Sequence, residues 1–377
     1  MNFDFSDESR LLRDQARRFL AERCPPALVR AALDAPPPEI AALWGDIAGL
    51  GWLGAGLPEA HGGAGLGAEA VCVLAEELGR ALAPVPFLSG ICLAAEAIAR
   101  AGSPAQQAAW LPRLAAGEAR AAPALAAGAG EPGPRAIRAV LHNGAIDGEA
   151  WPVPDGMDAA VLVVAALDQD VPVLALVEAG GAGVERSHLA TIDPSLPHVR
   201  LTFRAAPASV LPGARGWNAI ATILDRAAVP AAFAAVGGAT AALERAVAYA
   251  KERHAFGRPI GSFQAIKHKL ADVYVAVELA RSNAWYACWA LEADAGALTL
   301  AAATAKVSAD TAFFHAAKEN IQTHGGIGFT WEDDGHLFYR RAQLLAHAIG
   351  GPRFWKERTV AALETANAAG ANATGIN

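Results

Sequence analysis

Four long stretches, near residues 217–252, 262–295, 298–323 and 331–348, carry apolar residues at helical spacing and set the terms for any fold this chain adopts. Helices of that length, adjacent in sequence, pack as a bundle. Much of the apolar content is alanine, within a chain whose side chains are 53% hydrophobic. Alanine favours helix at little entropic cost and lets helices approach closely. Upstream, Leu11, Leu12, Ala16, Phe19 and Leu20 recur at helical spacing behind Ser6, a candidate N-cap followed by Asp7 and Glu8. Further helices are expected near 40–50, 67–82, 89–101 and 104–116. Between about 120 and 212 the pattern changes. Residues 160–166, 171–177 and 199–203 are short, rich in β-branched side chains and bounded by turn residues, with no helical stretch between them. A compact antiparallel barrel or sandwich is expected there, in place of a parallel nucleotide-binding sheet.

The fold class is therefore mainly α with a central β domain. Residues 1–118 form an N-terminal helical domain, 119–214 a small β-barrel or sandwich, and 215–377 a C-terminal four-helix bundle, with a polar tail frayed after Leu363.

Composition removes several functions. A net charge of -7 over 377 residues argues against nucleic acid or an anionic membrane as principal partner. Cys24, Cys72, Cys92 and Cys288 lack C-x-x-C spacing, so neither a zinc site nor a disulfide framework is indicated and a reducing cytoplasm is expected. The first residues, MNFDFSDESR, read as no secretory signal, and the alanine-rich runs are not apolar enough for a membrane span. The histidines form no H-E-x-x-H or similar pair, so no metal site is expected, and no G-x-S-x-G elbow appears. Gly128, Gly130 and Gly133 spell G-x-G-x-x-G but include Pro132 and open no helix after a strand, and 62–67 fails the same test.

Two segments carry chemistry. In KERHAFGRPIGSFQAIKHKLAD, from Lys251, Arg253 can neutralise a diphosphate, Phe256 and Gly257 break a helix so that backbone approaches a ligand, and Gln264 offers an amide on the next helix. In IQTHGGIGFTWEDDGHLFYRRA, from Ile321, Gly325 and Gly326 leave room for close approach, one turn after Gln322. The bland alternatives are a surface charge and a helix-ending turn.

Taken in order, R-x-x-F-G-R-P-I-x-x-F-Q and Q-x-H-G-G-x-G-F resemble the two signature regions of acyl-CoA dehydrogenases, and the segments from Gly51 and from 102–118 look like that family's N-terminal domain. The resemblance implies FAD as cofactor. It implies that Arg253, Phe256 and Gln264 reach across a subunit interface to a neighbour's FAD, which Gln322 and Gly326 also help to hold. It also implies an acyl-CoA substrate, electron-transferring flavoprotein as redox partner, and a dimer or tetramer built from itself or from a related subunit.

The same resemblance exposes a gap. The family's usual base is a glutamate twenty positions after the G-F phenylalanine, and twenty positions after Phe329 stands Ile349. A second subgroup's glutamate corresponds to Ala227. Asp225 is near in sequence, but two residues along a helix turn a side chain by about 200°. Glu332, Asp333 and Asp334 read as a charge cluster at a helix N-terminus. PALAAGAGEPGP and GEAWPVPDGMDA depart from the family's flavin-ring segments, so Trp151 reads as a packing residue, and His347 as a helix-surface histidine. The implied function is a dehydrogenase subunit, of fatty-acid or steroid side-chain catabolism, whose partner supplies the base, with Asp225, Arg226 and Ile349 near an altered acyl pocket. Two alternatives are a homomeric enzyme using Asp225 and a non-catalytic flavin- or acyl-CoA-binding member.

Overall fold

The computed structural model describes residues 6–128 and 131–374. Met1–Phe5 of the leading segment and Gly130 of the glycine motif lie outside them. Ser6 caps α1 (Asp7–Arg23), its Oγ accepting the Ser9 N–H at 3.1 Å. Then follow α2 (Pro26–Ala31), α3 (Pro38–Gly49), α4 (Gly67–Arg80), α5 (Glu96–Ala101) and α6 (Pro104–Ala115). The expected helix at 89–101 is α5 preceded by a π-helical segment, Phe87–Ala95, whose wider turn is an irregularity spacing does not encode. Ser103 and Gln106 make a reciprocal capping box at the start of α6.

The central strands are β1 (Ala121–Ala124), β2 (Ala139–His142), β3 (Ala145–Pro154), β4 (Val161–Asp168), β5 (Val171–Glu178), β6 (Val184–Leu189) and β7 (His198–Arg215). The pairings β4–β5, β5–β7, β7–β3, β3–β2 and β2–β4 close a ring, so this is a barrel. It is not wholly antiparallel as expected: β1 and β2 both run parallel to β4. Alternate residues of β4 serve two cores. Leu162, Val164 and Ala166 fill the barrel with Leu201 and Phe203, while Val161, Val163 and Ala165 pack toward the helices. Burial on both faces explains why this strand reads as an unbroken apolar run.

The C-terminal part comprises α7 (Trp217–Glu252), α8 (Gln264–Glu292), α9 (Leu298–His324), α10 (Gly335–Leu345) and α11 (Pro352–Thr374). The chain stays helical to Thr374, which corrects the frayed tail: alanines carry the helix through a polar sequence. By length and composition α7 could cross a membrane, contrary to the sequence expectation, but 83% of its most apolar window is buried inside the protein. It is the central helix. Contact between α4 and α7 is backbone on backbone: a Cβ on Gly237 would lie 1.9 Å from the Glu76 carbonyl, and one on Gly79 2.1 Å from that of Ala234.

Candidate functional site

Two features stand out, an exposed edge at one end of the bundle and an apolar cavity. At the edge, α7 ends at Glu252 and the chain turns through a two-residue hairpin pairing His254 with Pro259 and Ala255 with Arg258. Its central residues, Phe256 and Gly257, both have positive φ, 53° and 76°, the geometry such a tight turn demands. The Phe256 ring is 94% exposed, its edge against Phe263, over whose face the Arg258 guanidinium sits at 4.1 Å. Gln264 opens α8. The second glycine segment lies beside the first: Tyr249, one turn before Arg253, stacks on His324, which precedes Gly325, with ring centroids 4.1 Å apart. Arg253, Gln264 and Gln322 are exposed, and their side chains make no hydrogen bond or ion pair among the described residues. A Cβ on Gly257, Gly325 or Gly326 would meet only open space. One surface thus presents an uncommitted guanidinium, two free amides and three stretches of bare backbone.

The cavity, with about 70 Å³ open to the centre of a water-sized sphere, lies between α4, the π-helical segment, α7 and α10. Leu78, Phe87, Leu93, Ala231 and Leu345 make its walls apolar. Ala227 and Ile349 both line it, so the two positions to which the resemblance assigns a base face one space. Leu93, Pro123, Pro154, Ala348 and Ile349 also line an adjoining cleft. Ser89, Asp155, His198 and Arg341 line the cavity and not that cleft. Asp155 is the one acid among the cavity's described lining residues.

Asp225 is elsewhere. Its buried carboxylate receives two hydrogen bonds from Arg358 of α11 and one from Thr299 at 2.8 Å, and it lines neither space. A carboxylate committed to a guanidinium and turned from Ala227 does not fit the role of relocated base. Arg226 also departs from expectation, pairing with Glu96 and Asp294 in a separate cleft. His347 is exposed in the turn after α10, its Nδ1 3.0 Å from the Gln343 carbonyl, and not on the helix surface. Trp151 lies under Arg200 at 4.4 Å, a packing contact. Asp333 accepts the Gly335 N–H at 2.7 Å and pairs with Arg245, while Asp334 pairs with Arg30, so this acidic cluster does sit at a helix N-terminus. Sequence reasoning missed Asp155 and also Glu131, whose Oε2 accepts the Gly351 N–H at 3.0 Å in the cleft beside Ile349. The only signal for Glu131 was an acid in a segment that departs from the family pattern. Among the described residues no three His, Cys, Asp or Glu side chains are grouped to hold a metal.

Helical domains on either side of a barrel, with an apolar cavity where they meet, define a flavoprotein dehydrogenase class, and this chain belongs to the acyl-CoA dehydrogenase family. Residues 6–118 match the family's N-terminal domain and 214–353 its C-terminal domain. The chain is 35% identical, over 92% of its length and 94% of the relative's, to acyl-CoA dehydrogenase IpdE2 of Mycobacterium tuberculosis. It superposes on a variant of the Tcur3481-Tcur3483 steroid acyl-CoA dehydrogenase with a TM-score of 0.86 at 34% identity, covering 96% of this chain and 99% of that one. It superposes on the ChsE4-ChsE5 complex of Mycobacterium tuberculosis with a TM-score of 0.88 at 27% identity, covering 97% and 99%.

Proposed function

We propose that this chain is a subunit of an FAD-dependent acyl-CoA dehydrogenase that builds the acyl cavity and an FAD-binding edge but leaves the catalytic base to a related subunit. The observation that carries the reading is that Ala227 and Ile349 both line the cavity, because neither side chain can accept a proton. Arg253 would neutralise the FAD diphosphate, Gln264 and Gln322 would hydrogen-bond the nucleotide, and Phe256, Gly257, Gly325 and Gly326 would let backbone and ring lie against it. Their exposed, uncommitted state suits a ligand shared with a neighbour. FAD, when bound, supplies the hydride acceptor for the β-hydrogen, and the cavity residues hold the acyl chain and exclude water. The ChsE4-ChsE5 complex and the two-chain Tcur3481-Tcur3483 enzyme support a mixed assembly for this chain. Electron-transferring flavoprotein as oxidant, a cytoplasmic location, and divisions near 118 and 214 complete the proposal.

Glu131 favours a second reading, a self-sufficient enzyme, since its carboxyl lies in the cleft with Ile349. Co-expression with a related subunit that carries the glutamate separates the two. The first reading expects acyl-CoA to bleach the flavin of the mixed complex and to leave that of the chain alone oxidised. Bleaching of the chain alone, abolished by Glu131→Gln, would replace it with the second.

A further inference from the structure

Part of the apolar cavity's lining is polar, and its groups come from four separate parts of the chain. Ser89 lies on the π-helical segment, Asp155 in the turn after β3, His198 at the start of β7 and Arg341 on α10. None of the four lines the adjoining cleft, although Pro154, next to Asp155 in the chain, lines both spaces. Their mutual hydrogen bonds leave two positions unfilled. Ser89 Oγ donates to Asp155 Oδ2, and Asp155 Oδ1 has no partner among the described residues. His198 Nδ1 meets the Leu196 carbonyl at 3.0 Å, and its Nε2 likewise has no partner. Asp155 holds this place with a φ of 56°, a left-handed conformation that aspartate tolerates better than most residues.

Charge decides what the two open positions accept. The buried Arg341 is committed, its Nε donating to Asp193 at 2.6 Å, one Nη to Ser195 Oγ at 2.9 Å and the other to the Ala83 carbonyl at 3.3 Å. A substrate carboxylate would find no free cation here and would lie against an acid. Burial first of all pushes the Asp155 carboxyl above its ordinary range, opposed by the Ser89 hydrogen bond and by His198, Arg120 and Arg341. An all-hydrocarbon chain would strand both groups out of water without partners.

We infer that the cavity takes an acyl group bearing a neutral hydroxyl or keto oxygen along its chain, held by Asp155 and His198. This inference rests on the acyl-CoA reading above and adds the class of acyl group. Calorimetry on the full chain in its native assembly tests it with straight-chain acyl-CoAs of graded length, each plain, ω-hydroxylated and ω-carboxylated. At the length that spans the cavity, the hydroxylated ligand is expected to bind about tenfold tighter than the plain one. Asp155→Leu, and the milder Ser89→Ala, should shrink that preference, Asp155→Leu by tightening the plain chain as well as by weakening the hydroxylated one. Equal affinity for plain and hydroxylated chains at every length overturns the inference, as does tightest binding of the carboxylated series. Failure of every acyl-CoA to bind overturns the acyl-CoA reading along with it.

Discussion

Asp155 gives the protein a pH signature. A carboxyl raised above its unfolded value keeps its proton in the folded chain after the unfolded chain has lost it. Its contribution to stability is therefore present in acid and is lost as pH rises through the folded value. Asparagine keeps the shape and never ionises. Asp155→Asn should melt with the wild type near about pH 4 and above it, by about 2–4 °C, near about pH 8. Thermal melts across that range check the sign, and a difference that does not vary with pH would contradict it. At this scale the sequence was legible where a residue type has a single use. The helix break before Phe256 and Gly257, and the Ser6 cap, follow from local chemistry. Asp155 was not legible, because its partners Ser89 and His198 come from distant segments. Asp225 misled for the same reason: Arg358, which occupies it, lies on α11, a helix the sequence reading did not contain.

Between elements, the tightest constraint is the crossing of α4 and α7. Gly237→Ala would drive a methyl to 1.9 Å from the Glu76 carbonyl, and no flexible side chain is there to yield. Separating two buried backbones should cost about 3 kcal/mol or more, read by chemical denaturation. Gly296→Ala, with nothing within 4 Å of its added Cβ, should stay within about 0.5 kcal/mol of wild type. A comparable loss at both sites would deny the close approach. Because Gly79 also lines the cavity, this crossing sets the cavity's shape as well as its stability. The long helices were legible because their periodicity persists over many turns; α7 was read to its bounds. Strands β1 and β2 were not, since alanine, proline and histidine supply little β-branched signal and pairing with β4 makes them strands.

Across the whole molecule, Arg341 fastens three parts together, joining α10 to Asp193 and Ser195 ahead of β7 and to Ala83 after α4. The cavity sits inside that junction, while the edge carrying Arg253 and Gly326 faces outward. On the proposed reading the chain supplies the space for an acyl group and leaves its nucleotide-binding groups for an assembly to complete. Family membership was legible because two motifs and their order carried it. That Ala227 and Ile349 both line one cavity was not, because they lie on different elements that only folding brings together. Restoring a carboxylate tests the account most directly. In the chain purified alone with FAD, acyl-CoA should leave the wild-type flavin oxidised, and Ile349→Glu should confer bleaching faster by about 10²-fold or more. Wild-type protein that bleaches unaided, with no gain from Ile349→Glu and loss in Glu131→Gln, would contradict it.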